Sequence, residues 1–116
     1  MLKDDCLFCK IIKGEIPSSK IYEDDLCLAF NDINPVAPVH VLVIPKTHVE
    51  NTNEITEENS RYITHIYEKM SDITEKARVK EAGYRIICNC GEDAGQEVKH
   101  LHFHIIGGTK LGAKIV

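Results

Sequence analysis

The sequence predicts an α+β domain with a mainly antiparallel sheet of about five strands, one long helix and a short N-terminal helix. Two observations carry this. Short apolar or β-branched runs recur along the chain between turn residues, and residues 62–77 instead repeat apolar side chains at three- and four-residue spacing. At 116 residues, one domain spanning 1–116 with one ordinary core is expected.

Cys6-Leu7-Phe8-Cys9 opens the fold, and Lys10-Ile11-Ile12-Lys13 continues it as a short helical turn ended by Gly14. Pro17 and Ser18-Ser19 mark a turn. Ile21-Tyr22-Glu23 and Leu26-Cys27-Leu28-Ala29-Phe30 flank Asp24-Asp25 and predict a hairpin. A loop with two prolines, residues 31–38, leads into Val39-His40-Val41-Leu42-Val43-Ile44, a central strand stopped by Pro45. Residues 46–55 are polar and irregular.

The long helix is expected to start at Thr56 as N-cap, with Glu57 and Glu58 in a first turn where the helix dipole favours negative charge. Tyr62, Ile63, Ile66, Tyr67, Met70, Ile73 and Ala77 then form the stripe that packs on the sheet. His65 falls between these positions and is expected to be solvated. Gly83 ends the region, and a strand follows over 84–89.

The last strand is expected over 100–106, His100-Leu101-His102-Phe103-His104-Ile105-Ile106, before Gly107-Gly108. A strand alternates its side chains, so the three histidines share one face while Leu101, Phe103 and Ile105 share the other. Half of the chain's six histidines in five residues is more than packing requires, and clustered imidazoles mark metal or catalytic sites. Residues two apart on a strand are about 7 Å from each other, too far for all three to share one metal. The preceding loop, 90–97, exceeds a hairpin's needs, and its two glycines allow close backbone approach to a ligand.

Composition narrows the function. A formal charge of −4 and pI near 5.8 argue against a nucleic-acid surface, which needs a basic stripe. No apolar run approaches a bilayer span, so no membrane partner is expected. The N-terminus has no apolar signal region and the five cysteines are odd in number. An intracellular, cytoplasmic protein is expected, with thiols or metal ligands instead of a disulfide framework.

The chain resembles the histidine-triad (HIT) nucleotide-binding family, within it the Hint-like nucleoside phosphoramidate hydrolases. The resemblance runs through Phe8-Cys9-Lys10-Ile11-Ile12, Leu28-Ala29-Phe30-Asn31-Asp32-Ile33, the segment from Val39 through Ile44-Pro45-Lys46, and the triad preceded by Gly95-Gln96. It implies the HIT-like fold and a homodimer. It also implies hydrolysis of purine nucleoside phosphoramidates or related 5'-monophosphate conjugates. In that scheme His102 is the nucleophile that forms a nucleotidyl-histidine, His104 binds phosphate oxygen, and His40 supports the imidazoles. Asn89, Gly95, Gln96, Glu97 and Val98 surround the phosphates and leaving group. Asp32 accepts from the ribose hydroxyls, and Leu7, Phe8, Ile11, Phe30 and Ile33 wall the base. Glu97 departs from the serine of some Hint-like proteins; it either donates a proton to the leaving group or sits in solvent.

Cys6 and Cys9 have zinc-knuckle spacing, and a closed structural site takes four ligands. Zinc-bearing branches of the family use positions matching His48 and His100 for the other two. A redox pair is the competing reading, but it lacks the expected βαβ context. Two further functional readings stay open: a dinucleoside polyphosphate hydrolase, and a nucleotide-binding module that acts through protein partners.

Overall fold

The structure, a computed structural model, describes residues 1–113. Helix α1 (Leu7–Ile12) is followed by β1 (Lys20–Glu23), β2 (Cys27–Asn31) and β3 (Val39–Pro45), then a 3-10 turn (Thr52–Glu54), helix α2 (Ser60–Lys76), β4 (Tyr84–Ile87) and β5 (Phe103–Gly107). The strands form one antiparallel sheet in the order β1-β2-β3-β5-β4. The α+β fold read from the sequence is therefore present, with its long helix and short N-terminal helix.

Alternation gives the sheet two apolar faces. Cys27 and Ala29, Val41 and Val43, and Phe103 and Ile105 meet Ile66, Met70 and Ile73 of α2 on one side. Leu28 and Phe30 with Leu42 and Ile44 meet Phe8, Cys9 and Ile11 of α1 on the other. Each of the valine, leucine, isoleucine, methionine and phenylalanine side chains taken out of water contributes about 1.5–3 kcal/mol. The six-residue α1 is therefore held by its contacts, being far too short to persist alone.

Several boundaries differ from the sequence expectation. Helix α2 begins at Ser60 with Asn59 as N-cap. Thr56 instead closes a preceding turn, in which its N–H donates to the Asn59 side chain and its carbonyl accepts from Ser60. The helix ends at Lys76 with Arg78 (φ 64°) in the left-handed region after it, and Gly83 (φ 113°) stands directly before β4, where the sequence placed the end of the region. His65 is not simply solvated: its Nε2 lies 2.6 Å from Asp24 Oδ2, which ties α2 to the β1–β2 turn.

The last strand is the most telling difference. It starts at Phe103, so only His104 of the triad sits within the ladder. β3 pairs with β5 as far as Val43 opposite Phe103; beyond that lies Pro45, which has no N–H to donate. The Pro45 carbonyl instead accepts from His100 Nε2 at 3.1 Å. The Leu101 N–H turns away to the Val49 carbonyl. The chain bends over residues 98–100, where the His100 N–H donates to the Val98 carbonyl, yet the predicted alternation is kept: Leu101 is in the α2-side core while His100 and His102 lie on the α1 side.

Candidate active site and metal centre

The α1 side of the sheet holds a cavity of about 670 Å³, within the usual size for small-molecule sites. Phe8 and Phe30 wall it, with ring centroids 5.7 Å apart, and Asp32, His40, His102 and His104 line it. Asn89, Gly95, Glu97 and Val98 line it as well, Val98 packing on the cluster that contains Phe8 and Phe30. Leu7, Ile11 and Ile33 also line it. Leu7 is 45% exposed and Ile33 is 91% exposed. These two are therefore not residues that a core would have buried anyway; they form an apolar rim at the mouth.

Gln96 does not line the cavity. Its side chain is spent on the loop: Oε1 accepts from Gly91 N–H at 2.9 Å, and Nε2 donates to the carbonyls of Glu50 and Val98. It thus cross-braces 90–97 to the segment carrying His48.

The hydrogen bonds assign each imidazole's proton. A backbone N–H can only donate, so Val36 N–H at 3.1 Å makes His40 Nδ1 the acceptor and places that ring's proton on Nε2. Nε2–H then donates to His104 Nδ1 at 2.9 Å, with Asp32 Oδ2 at 3.4 Å from the same nitrogen. His104 must in turn carry its own proton on Nε2. A carbonyl can only accept, so the His100 carbonyl at 2.7 Å places the His102 proton on Nδ1 and leaves Nε2 with a lone pair. The His102 and His104 rings lie 5.0 Å apart, edge to face. One neutral ring thus offers a lone pair beside another that offers an N–H.

Burial, with His102 and His40 adjacent, pushes His104 down to about 4, and burial lowers His102 as well. Both rings are neutral at pH 7. An imidazole in the unfolded chain titrates near 6.5. Between these values the unfolded chain binds a proton that the native site refuses, so the contribution to stability is complete above about pH 6.5 and shrinks as pH falls toward 4. Metal-free protein is expected to unfold at lower denaturant near pH 5 than near pH 7.5. His104→Gln should make that dependence shallower without removing it, because burial lowers His48, His100 and His102 as well; an unchanged slope in the variant would show that His104 does not contribute.

A second cluster lies beside the cavity. Cys6 caps α1 by accepting from Cys9 N–H, and helical spacing puts both sulfurs on one side of the first turn. His100 Nδ1 is 3.3 Å from Cys6 Sγ and 3.5 Å from Cys9 Sγ, while His48 Nδ1 is 3.6 Å from Cys9 Sγ. With Zn–S near 2.3 Å and Zn–N near 2.05 Å, the sulfur–nitrogen edge of a tetrahedron is about 3.5 Å. All four ligand atoms lie within 4.8 Å of one another, close enough to hold one ion. The orientation of His100 fits too: it commits Nε2–H to the Pro45 carbonyl and turns Nδ1 toward the sulfurs. Burial lowers both His48 and His100, the latter to about 4, so both rings are deprotonated and ready to ligate.

The sequence reading left out several cavity residues, including Ile16, Ser18, Asn31 and Val36. Only the Pro17-Ser18-Ser19 turn hinted at them, and nothing local announces that the Val36 N–H fixes the His40 tautomer.

Comparison with known proteins identifies the family. The HIT domain family matches residues 13–111. The chain is 40% identical over 111 residues to the purine nucleoside phosphoramidase of Escherichia coli (strain K12), covering 96% of this chain and 93% of that one. A histidine triad protein from Clostridium difficile superposes with a TM-score of 0.93 at 50% identity, covering 99% of this chain and all of the other. A HIT family hydrolase from Clostridium thermocellum gives 0.94 at 49% identity, covering 98% and 99%.

Proposed function

The chain belongs to the HIT family, and from that premise we propose that it hydrolyses purine nucleoside phosphoramidates through a covalent nucleotidyl-histidine on His102. The observation that carries the reading is the tautomer pair: a lone pair on His102 Nε2 beside an N–H on His104 Nε2. The lone pair attacks the α-phosphorus, the phosphorus–nitrogen bond breaks, and the amine departs with a proton. Water then cleaves the phosphorus–imidazole bond and releases the nucleoside monophosphate. Splitting one displacement into two lowers the hardest barrier. The N–H of His104 donates to a phosphate oxygen, and because its Nδ1 is held by His40 it does so as a neutral ring. The Asp32 carboxylate, already accepting from Asn34 N–H at 2.8 Å, takes the ribose hydroxyls. The apolar walls take the purine.

Cys6, Cys9, His48 and His100 would hold a structural zinc. With four protein ligands it supplies no open coordination position, only a cross-link between α1 and the sheet. A homodimer belongs to the same reading, and the outer edge of β4, whose residues Tyr84–Ile87 are all half-buried, offers a surface for it. A cytoplasmic place of action is also part of the proposal. Among the described residues no helix is long and apolar enough to cross a membrane.

The substrate class is testable through the leaving group. A departing amine needs a proton, whereas a departing nucleotide phosphate does not. Glu97, exposed on the cavity wall, orients the water that supplies that proton. Adenosine phosphoramidates are expected to be cleaved with far higher kcat/KM than diadenosine polyphosphates, and Glu97→Ala to slow amine substrates more than those with acidic leaving groups. Preference for the dinucleotides would make this chain a polyphosphate hydrolase, and an equal effect on both series would remove Glu97 from the mechanism.

A further inference from the structure

Among the described residues, the Ser18 hydroxyl is the one buried side-chain polar atom without a hydrogen-bond partner. Leaving a buried hydroxyl unpaired is destabilising, so its presence asks for a reason. Its neighbour shows how the same group is normally satisfied: Ser19 Oγ takes a hydrogen bond from Asn31 Nδ2 at 3.0 Å, and the Ser19 carbonyl takes the Asn31 N–H. Those contacts fix the start of β1 against the end of β2. Ser18 sits one residue earlier, after Pro17, and makes neither contact.

Its position supplies the reason. Ser18 lines the large cavity together with Ile16, Pro17 and Phe30, just ahead of β1, which β2 and β3 separate from the β5 strand that carries His104. A serine hydroxyl turns about a single bond between staggered positions, and it both donates and accepts. The imidazoles are assigned above to the phosphate and Asp32 to the ribose, and the neighbouring Ser19 and Asn31 side chains, which also line the cavity, are bonded to each other. Of the nucleotide the base remains, and every nucleobase carries polar edge atoms that need partners once its faces are buried.

We infer that Ser18 is a base-reading residue, whose hydroxyl turns into the cavity when the site fills and pairs with a polar atom on the edge of the purine. This rests on the nucleotide reading given above and adds to it a residue that contributes to base preference. The energetic logic is that of a polar group left unsatisfied in the free protein and satisfied only by the correct ligand, so a ligand lacking the matching edge gains nothing from it.

The test is calorimetric titration of AMP and of ribose 5-phosphate into wild type and Ser18→Ala, together with thermal unfolding of both unliganded proteins. Losing one neutral hydrogen bond should weaken AMP binding about three- to tenfold and leave ribose 5-phosphate unchanged. The unliganded variant should unfold at the same or a higher temperature than wild type, because alanine removes an unpaired group. Equal AMP affinity in the two proteins would overturn the assignment, as would an equal loss for ribose 5-phosphate. A lower unfolding temperature in Ser18→Ala would also overturn it, by showing that the hydroxyl has a structural partner. A wild-type protein that binds neither ligand would contradict the nucleotide reading itself, whereas unchanged binding in the variant contradicts only the role of Ser18.

Discussion

His102→Ala is expected to abolish turnover, with kcat falling by about 10⁴–10⁶, because removing a covalent nucleophile removes the pathway and not one contribution to it. AMP binding should persist. The ribose and base contacts lie on other residues, and the donor of His104 is oriented by His40, which His102 does not touch through a hydrogen bond. The truncation leaves a space against the Phe8 ring, whose centroid lies 5.1 Å from that of His102, so a modest fall in stability accompanies it. Turnover by release of the nucleoside monophosphate and binding by calorimetry separate the two effects. Residual activity within tenfold of wild type would rule out His102 as the nucleophile.

The second large effect is on stability. Wild-type protein should carry about one zinc per chain, and Cys6→Ser/Cys9→Ser should carry almost none. An ion bound only to the folded chain, at a free concentration a thousandfold above its Kd, stabilises by about 4 kcal/mol. For a domain of this size that is on the order of 15 °C in unfolding temperature. Chelation of wild type should reproduce the shift and leave the double variant unmoved. The catalytic site should feel it as well. His100 both faces the sulfurs and supplies the carbonyl that holds the His102 proton, and Phe8, between Cys6 and Cys9, packs against the His102 ring. If the double variant retains wild-type zinc content and stability, the metal assignment fails.

What could be read from the chain was what depends on periodicity. The alternation over 100–106 correctly sent Leu101, Phe103 and Ile105 to the α2 core, and the stripe on α2 correctly named Ile66, Met70 and Ile73. What could not be read was set by distant partners. β5 begins at Phe103 because its neighbour β3 runs into Pro45, and Gln96 was expected near phosphate because its use by Glu50, 46 residues away, leaves no local mark. The helix start misled for a local reason: Thr56 and Asn59 are both good caps, and the turn that Thr56 closes left the cap position to Asn59. The metal ligands Cys6 and Cys9 announce themselves by spacing, but His48 and His100 reach them across 39 and 94 residues of chain, and the family resemblance alone suggested them.

The central claim is a covalent bond between His102 Nε2 and the α-phosphorus of a nucleotide, and mass spectrometry of an acid-avoiding quench during turnover of an adenosine phosphoramidate tests it most directly. The account predicts an adenylyl adduct on the peptide carrying His102, present during turnover and lost as substrate runs out. An adduct on His104 or His100, or none at any time while hydrolysis proceeds, would contradict it.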